Sequence, residues 1–145
     1  MMMQKIAKAR KRKGFSFMEI LVSLVLIVSL SVGAFFMFNE AQQTRKMAQM
    51  NNDMDAIVNG LLTYESLNIN SNLPDALTGL TTGLQDAESI DGSAHTNLVR
   101  STKTPDGNFV DPWGQAYEYS QADRTLTCTP KDASGKAMDP VVRYF

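Results

Sequence analysis

A chain of 145 residues, 43% of them hydrophobic and 20% charged, has room for one small core. Its formal charge of −1 hides a division: Lys5, Lys8, Arg10, Lys11, Arg12 and Lys13 take six of the 14 basic residues, leaving eight against 15 acidic ones, a net −7, and no basic footprint for a nucleic acid. Cys128, the single cysteine, excludes an internal disulfide; nothing brings His95, the single histidine, beside it, so a Cys–His nucleophile is not expected and the thiol is read as buried and structural.

The basic leader holds no acidic residue, and the positive-inside rule places it in the cytoplasm. From Phe15 to Phe38 run 24 apolar-rich residues, about 36 Å of helix, enough to cross a hydrocarbon core of about 30 Å. Glu19 is the charge in that run. A carboxylate costs on the order of 3 kcal/mol near the bilayer centre and less near its edge, so Glu19 needs a partner unless it snorkels to the interface. Proline is absent from the run; Gly33, with Ser29 and Ser31 nearby, either weakens the helix or allows close packing against another.

The helix is predicted to continue past Phe38, because Met47, Met50, Met54, Ile57, Leu61 and Tyr64 recur at spacings of 3, 4, 3, 4 and 3. Gln42, Gln43, Lys46, Asn52, Asp53 and Asp55 stand opposite, so residues 39–66 read as amphipathic, with the stripe laid against a C-terminal domain. A methionine stripe can also serve as an adaptable binding groove, and the heptads are too few for a coiled coil. Residues 68–107 read as a polar connection, in which Leu73, Leu77, Leu80 and Leu84, spaced 4, 3 and 4, suggest a short helix over 74–87 against the grain of Gly79 and Gly83. Leu98 and Val99 suggest a short extended piece before Pro105.

Asp111-Pro112-Trp113-Gly114 reads as a turn feeding a strand over 115–120 with Tyr117 and Tyr119 on one face. A turn at Gln121, Ala122 and Asp123 leads into 124–129, where alternation points Leu126 and Cys128 inward, and Val141 to Phe145 reads as a closing strand. Trp113 is expected to pack the sheet onto the helix stripe, with a ligand-binding aromatic as the other reading. The predicted class is α+β: an N-terminal helix of about 50 residues, transmembrane then amphipathic, packed on a small antiparallel sheet.

The Gly14–Phe15 junction, behind a basic leader and with Glu19 fifth from Phe15, resembles the processing site of type IV prepilins and pseudopilins. The Asp-Pro-Trp-Gly turn before a Tyr-rich strand is similar to that of the major pseudopilin of type II secretion systems. The resemblance implies a pilin fold, cleavage after Gly14 by a prepilin peptidase, N-methylation of Phe15, and a fifth-position carboxylate, Glu19, that meets the N-terminal ammonium of a neighbouring copy. Residues 1–14 are then a leader, 15–38 a transmembrane and filament-core helix, and 39–145 an exported head. It implies a non-enzymatic subunit of a pseudopilus, with no cofactor expected unless Ca²⁺ binds, at the bacterial inner membrane, single-pass, with its head in the periplasm or outside the cell. Its partners are then copies of itself, minor pseudopilins, an assembly platform protein and an ATPase. A type IV pilus subunit for adhesion, motility or DNA uptake is the alternative, and only there is a nucleic acid a partner. A third reading is a soluble exported protein cut after Val32-Gly33-Ala34, against which stands the apolar Phe35–Phe38 that would follow the cut.

Major pseudopilins close with a loop that binds Ca²⁺. Here Thr129–Asp139 offers two lysines and the separated Asp132 and Asp139, a poor cage for a hard cation. Asp106, Asn108 and Asp111 have a loosely calcium-like spacing that an Asx-rich turn also explains, so the metal question stays open over Asp106, Asp111, Asp132 and Asp139.

Overall fold

The computed structural model describes residues 14–99 and 108–145. It is α+β: a long helix α1 (Phe17–Leu67), a single-turn helix α2 (Gly79–Thr82) and strands β1 (Glu118–Ser120), β2 (Thr125–Cys128) and β3 (Val141–Tyr144), which form an antiparallel sheet in the order β1-β2-β3. The chain divides into two compact units between Phe38 and Asn39.

In the first unit every described residue from Gly14 to Phe38 is exposed. Among the described residues one helix, α1, is long and apolar enough to cross a membrane, with a mean hydropathy of 2.6 over its most apolar window. Ser23, Ser29 and Ser31 donate their hydroxyls to the carbonyls of Glu19, Val25 and Ile27 at 2.8, 2.8 and 2.7 Å, so the helix satisfies these groups itself. Gly33 does not interrupt α1, and a Cβ built on it meets nothing within 4 Å.

In the second unit the face of α1 formed by Met50, Met54, Ile57, Gly60, Leu61 and Tyr64 is buried, and Met47 is half-buried at its margin. Met50, Met54, Ile57 and Leu61 are fully shielded, each worth about 1.5–3 kcal/mol of transfer free energy. Leu126 and Cys128 of β2 close over this face while Thr125 and Thr127 alternate outward, the period of two that a pleated strand imposes. Phe109, 1% exposed, and Tyr117 fill the space between helix and sheet.

The helix expected over 74–87 shrinks to the four residues of α2. Gly83 ends it with φ +70°, and Leu84 then pairs with His95 through two backbone hydrogen bonds of 2.7 and 3.1 Å. Leu73, Leu77, Leu80 and Leu84 are all buried nonetheless, held inward by turns and bridges. The strand expected over 115–120 begins only at Glu118. Residues 115–117 turn back instead on 109–111, with Asp111 N bonded to Gln115 O at 2.7 Å and Ala116 bridged to Val110, so the Asp-Pro-Trp-Gly turn is the tip of a separate small hairpin.

Polar ties fix the sheet to the helix. Arg124 meets Glu65 through two parallel bonds of 2.9 Å, and Arg143 reaches Asp55 and Asn51 at 3.2 Å each. The Tyr119 hydroxyl donates to Pro74 O and the Gln121 amide to Leu73 O, both at 2.8 Å, tying the connecting segment to the hairpin.

Candidate functional site

Gly14, Phe15 and Ser16 precede α1 outside any helix or strand, and all three are exposed. Ile20 N bonds to Ser16 O at 3.1 Å, which starts the helix. Glu19 lies in its first turn, where the unpaired amides and the helix dipole favour a carboxylate. The side chain is exposed and in no ion pair among the described residues. Beside it Phe15, Ile20, Ser23, Leu24, Ile27 and Val28 line an apolar groove of about 350 Å³. The arrangement is an exposed apolar face with one carboxyl-bearing side chain at its N-terminal end.

The other residues singled out from sequence lie in the head. Met50, Met54, Ile57 and Leu61 are core, with Met47 at its edge. Trp113 is half-buried at the margin of the core, in the wall of a cleft of about 270 Å³ shared with Asn39, Gln42, Gln43, Lys46 and Asp132. The aromatic at the centre of the packing is Phe109 rather than Trp113; alternation with Val110 just before the turn was the available signal. Gln42, Gln43 and Lys46, expected on the solvent face of the helix, are half-buried here because the 130–138 hairpin lies over them, with the Gln43 amide donating to Lys131 O.

Asp106 lies outside the described residues. Asp111 is buried; its Oδ1 accepts the amides of Trp113 and Gln115 at 2.9 and 2.7 Å and its Oδ2 the Cys128 thiol at 3.4 Å. Asp132 accepts from Ser134 N, Ser134 Oγ and Lys136 N at 2.9, 2.6 and 2.9 Å, which holds its carboxyl below the usual range. Each therefore closes its own turn, and Asp139 stands exposed. Among the described residues no three His, Cys, Asp or Glu side chains converge on a metal-sized space.

Burial, and then the bond to Asp111, push the Cys128 thiol up to about 12, so it stays protonated and unreactive. His95 is held elsewhere, its Nε2 3.0 Å from Asp91 Oδ1 and 3.2 Å from Ser93 Oγ. Hydrogen bonds from Ser89 and Ser93, then His95, keep Asp91 well below the usual carboxylate range. Both neighbours reach the same ring nitrogen, which is not the relay geometry of a hydrolytic triad. Comparison with protein-family models, with curated proteins and with solved structures finds no match.

Proposed function

We propose that the chain is a structural subunit of a pilin-like filament, the pseudopilus of a type II secretion system, anchored by a single pass in the inner membrane with its leader inside and its head outside. One observation carries this reading. From Phe17 to Phe38 the helix is bare, apolar on all sides and marked by the single carboxylate of Glu19, one turn after an accessible Gly14–Phe15 bond. A surface of that size and composition does not stay in water. Before assembly lipid covers it, and in a filament the same helices of other copies do.

Glu19 then has a task. An unpaired carboxylate costs about 2.5–3.5 kcal/mol at mid-membrane depth, and cleavage after Gly14 creates an ammonium on Phe15 that methylation leaves cationic. If one copy offers that ammonium to the Glu19 of another, the contact is head-to-tail, and its repetition builds an open helix rather than a closed ring. A pilus subunit is the second reading: the 130–138 hairpin, closed by Asp132 on its own amides, lacks the open carboxylate loop of the secretion family.

The test has two parts. Intact mass and N-terminal sequencing of the exported protein are expected to show residues 1–14 gone and a methyl group on Phe15, whereas a start at Phe35 would replace the filament with a soluble product. Glu19→Ala is expected to be cut and inserted normally yet to form few filaments, with Glu19→Asp between it and the parent because the charge is kept but its reach shortened. Parental filament yield in the alanine variant would make Glu19 a passive residue.

A further inference from the structure

The charges of the head are sorted by position. Arg45 and Lys46 lie in the first turns of α1 after Asn39, and Lys131 and Lys136 belong to the hairpin that Gln43 holds against that stretch. None of the four is in an ion pair among the described residues, whereas Arg124 and Arg143 are committed to Glu65 and Asp55. The carboxylates at this end are Glu40, Asp132 and Asp139, with Asp111 and Glu118 sharing a cleft with Lys131; Asp132 is engaged with the amides of Ser134 and Lys136, and the buried Asp111 with those of Trp113 and Gln115. Of the 15 acidic residues, Glu19 lies in the apolar run, Asp106 outside the described residues and five at this end, which leaves eight in the rest of the head against Arg124 and Arg143, with Arg100 and Lys103 also outside the described residues.

Half-buried at the basic end is Trp113, the single tryptophan, beside Asn39 and Lys46 in the 270 Å³ cleft. Asn39 follows directly on Phe38, so the chain itself keeps this end near whatever surface takes up the apolar run.

We infer that this end of the head seats on an anionic lipid surface, with Arg45, Lys46, Lys131 and Lys136 against the phosphates and Trp113 at headgroup level. The inference rests on the membrane reading above and adds the partner of the head. A negatively charged bilayer repels the acidic remainder and accepts the basic end, so the charge pattern fixes an orientation. Each basic side chain at such a surface strengthens association roughly fivefold, and an indole prefers the interface to either phase.

The experiment uses the full chain in vesicles of phosphatidylcholine alone, or with phosphatidylglycerol, each carrying a lipid with a quencher near its glycerol backbone. Trp113 fluorescence is read. Quenching is expected to be roughly two- to fivefold stronger with phosphatidylglycerol, and to fall back at about 1 M salt, where screening acts within about 3 Å. Lys131→Glu with Lys136→Glu, and separately Arg45→Glu with Lys46→Glu, should remove the difference while leaving thermal unfolding in phosphatidylcholine unchanged. Equal quenching in the two lipids, at either salt, overturns the inference. So does a charge reversal that weakens self-association without any dependence on lipid, because it assigns the basic end to the acidic side of a second copy. A chain that floats with neither vesicle overturns the membrane reading and this inference together; one that floats with both but shows no lipid dependence overturns this inference alone.

Discussion

Gly60 occupies a place on the buried face of α1 that the spacing of Ile57, Leu61 and Tyr64 would give to an apolar side chain. A Cβ there would overlap Cγ2 of Val99, a buried β-branched side chain with little freedom to move aside. Gly60→Ala is expected to lose up to about 2 kcal/mol, since overpacking of about 1–3 kcal/mol exceeds the roughly 1 kcal/mol that alanine gains in a helix. With Val99→Ala added, the loss should be smaller than the sum of the two single losses, which thermal midpoints of the four proteins measure. Nothing local in the sequence separates Gly60 from Gly33, which faces open space; the distinction is made by a contact from a distant segment. The Glu65–Arg124 pair was hidden in the same way, its partners 59 residues apart. Its hydrogen bonds hold the Glu65 carboxyl below its ordinary value. That stability is present above the unfolded value near about 4.3 and is lost as pH falls through the folded one. Glu65→Gln is therefore expected to flatten the fall of the thermal midpoint below about pH 4.3. Asp91 and Asp132, also held low, keep the rest of that slope.

At the scale of elements, α1 was legible because its signal is local: an apolar run, then a stripe at a period near 3.6. The leucines at 73, 77, 80 and 84 carry the same signal and yet do not form one helix, because Gly83 takes a positive φ and the bridge to His95 replaces the next turn. Burial was readable there, but backbone form was not. The hairpin over 109–117 was missed for a related reason: Asp111 binds the amides of Trp113 and Gln115, and such a turn draws both flanks together whatever strand follows. The head core lies wholly within residues 39–145, so a fragment starting at Asn39 is expected to fold alone. In that fragment Met54→Asp should abolish the cooperative unfolding transition, since an unpaired buried charge costs roughly 3–5 kcal/mol or more of a stability near 5–15 kcal/mol. Equal midpoints for variant and parent would place the stripe in solvent.

For the whole molecule, contrast made the candidate site legible: Glu19 stands out because its neighbours are apolar, and the Gly14–Phe15 junction because charge stops there and hydrophobicity begins. What answers Glu19 was offered only by the family resemblance and not by this chain's own contacts, since in the proposed filament it belongs to another copy. The same holds for the basic end of the head, whose residues come from two stretches of chain that meet only when the 130–138 hairpin docks on Gln43.

The ties of helix to sheet also set an order in time. Gln43 to Lys131, Asn51 to Arg143 and Asp55 to Arg143 span 88, 92 and 88 residues. At about 5–20 residues per second, a ribosome completes α1 several seconds before the strand that carries Arg143 exists. Through that interval only the segment carrying Leu80 and Val99 is at hand to cover the methionine face, and a fold built on such distant pairs closes over it late. Deleting residues 141–145 is expected to make the interval permanent, giving a chain that is cut readily by protease and binds dyes specific for exposed apolar surface. A deleted chain as protease-resistant as its parent would mean that β1 and β2 suffice, and that the nascent helix is shielded earlier than its partners in the sheet require.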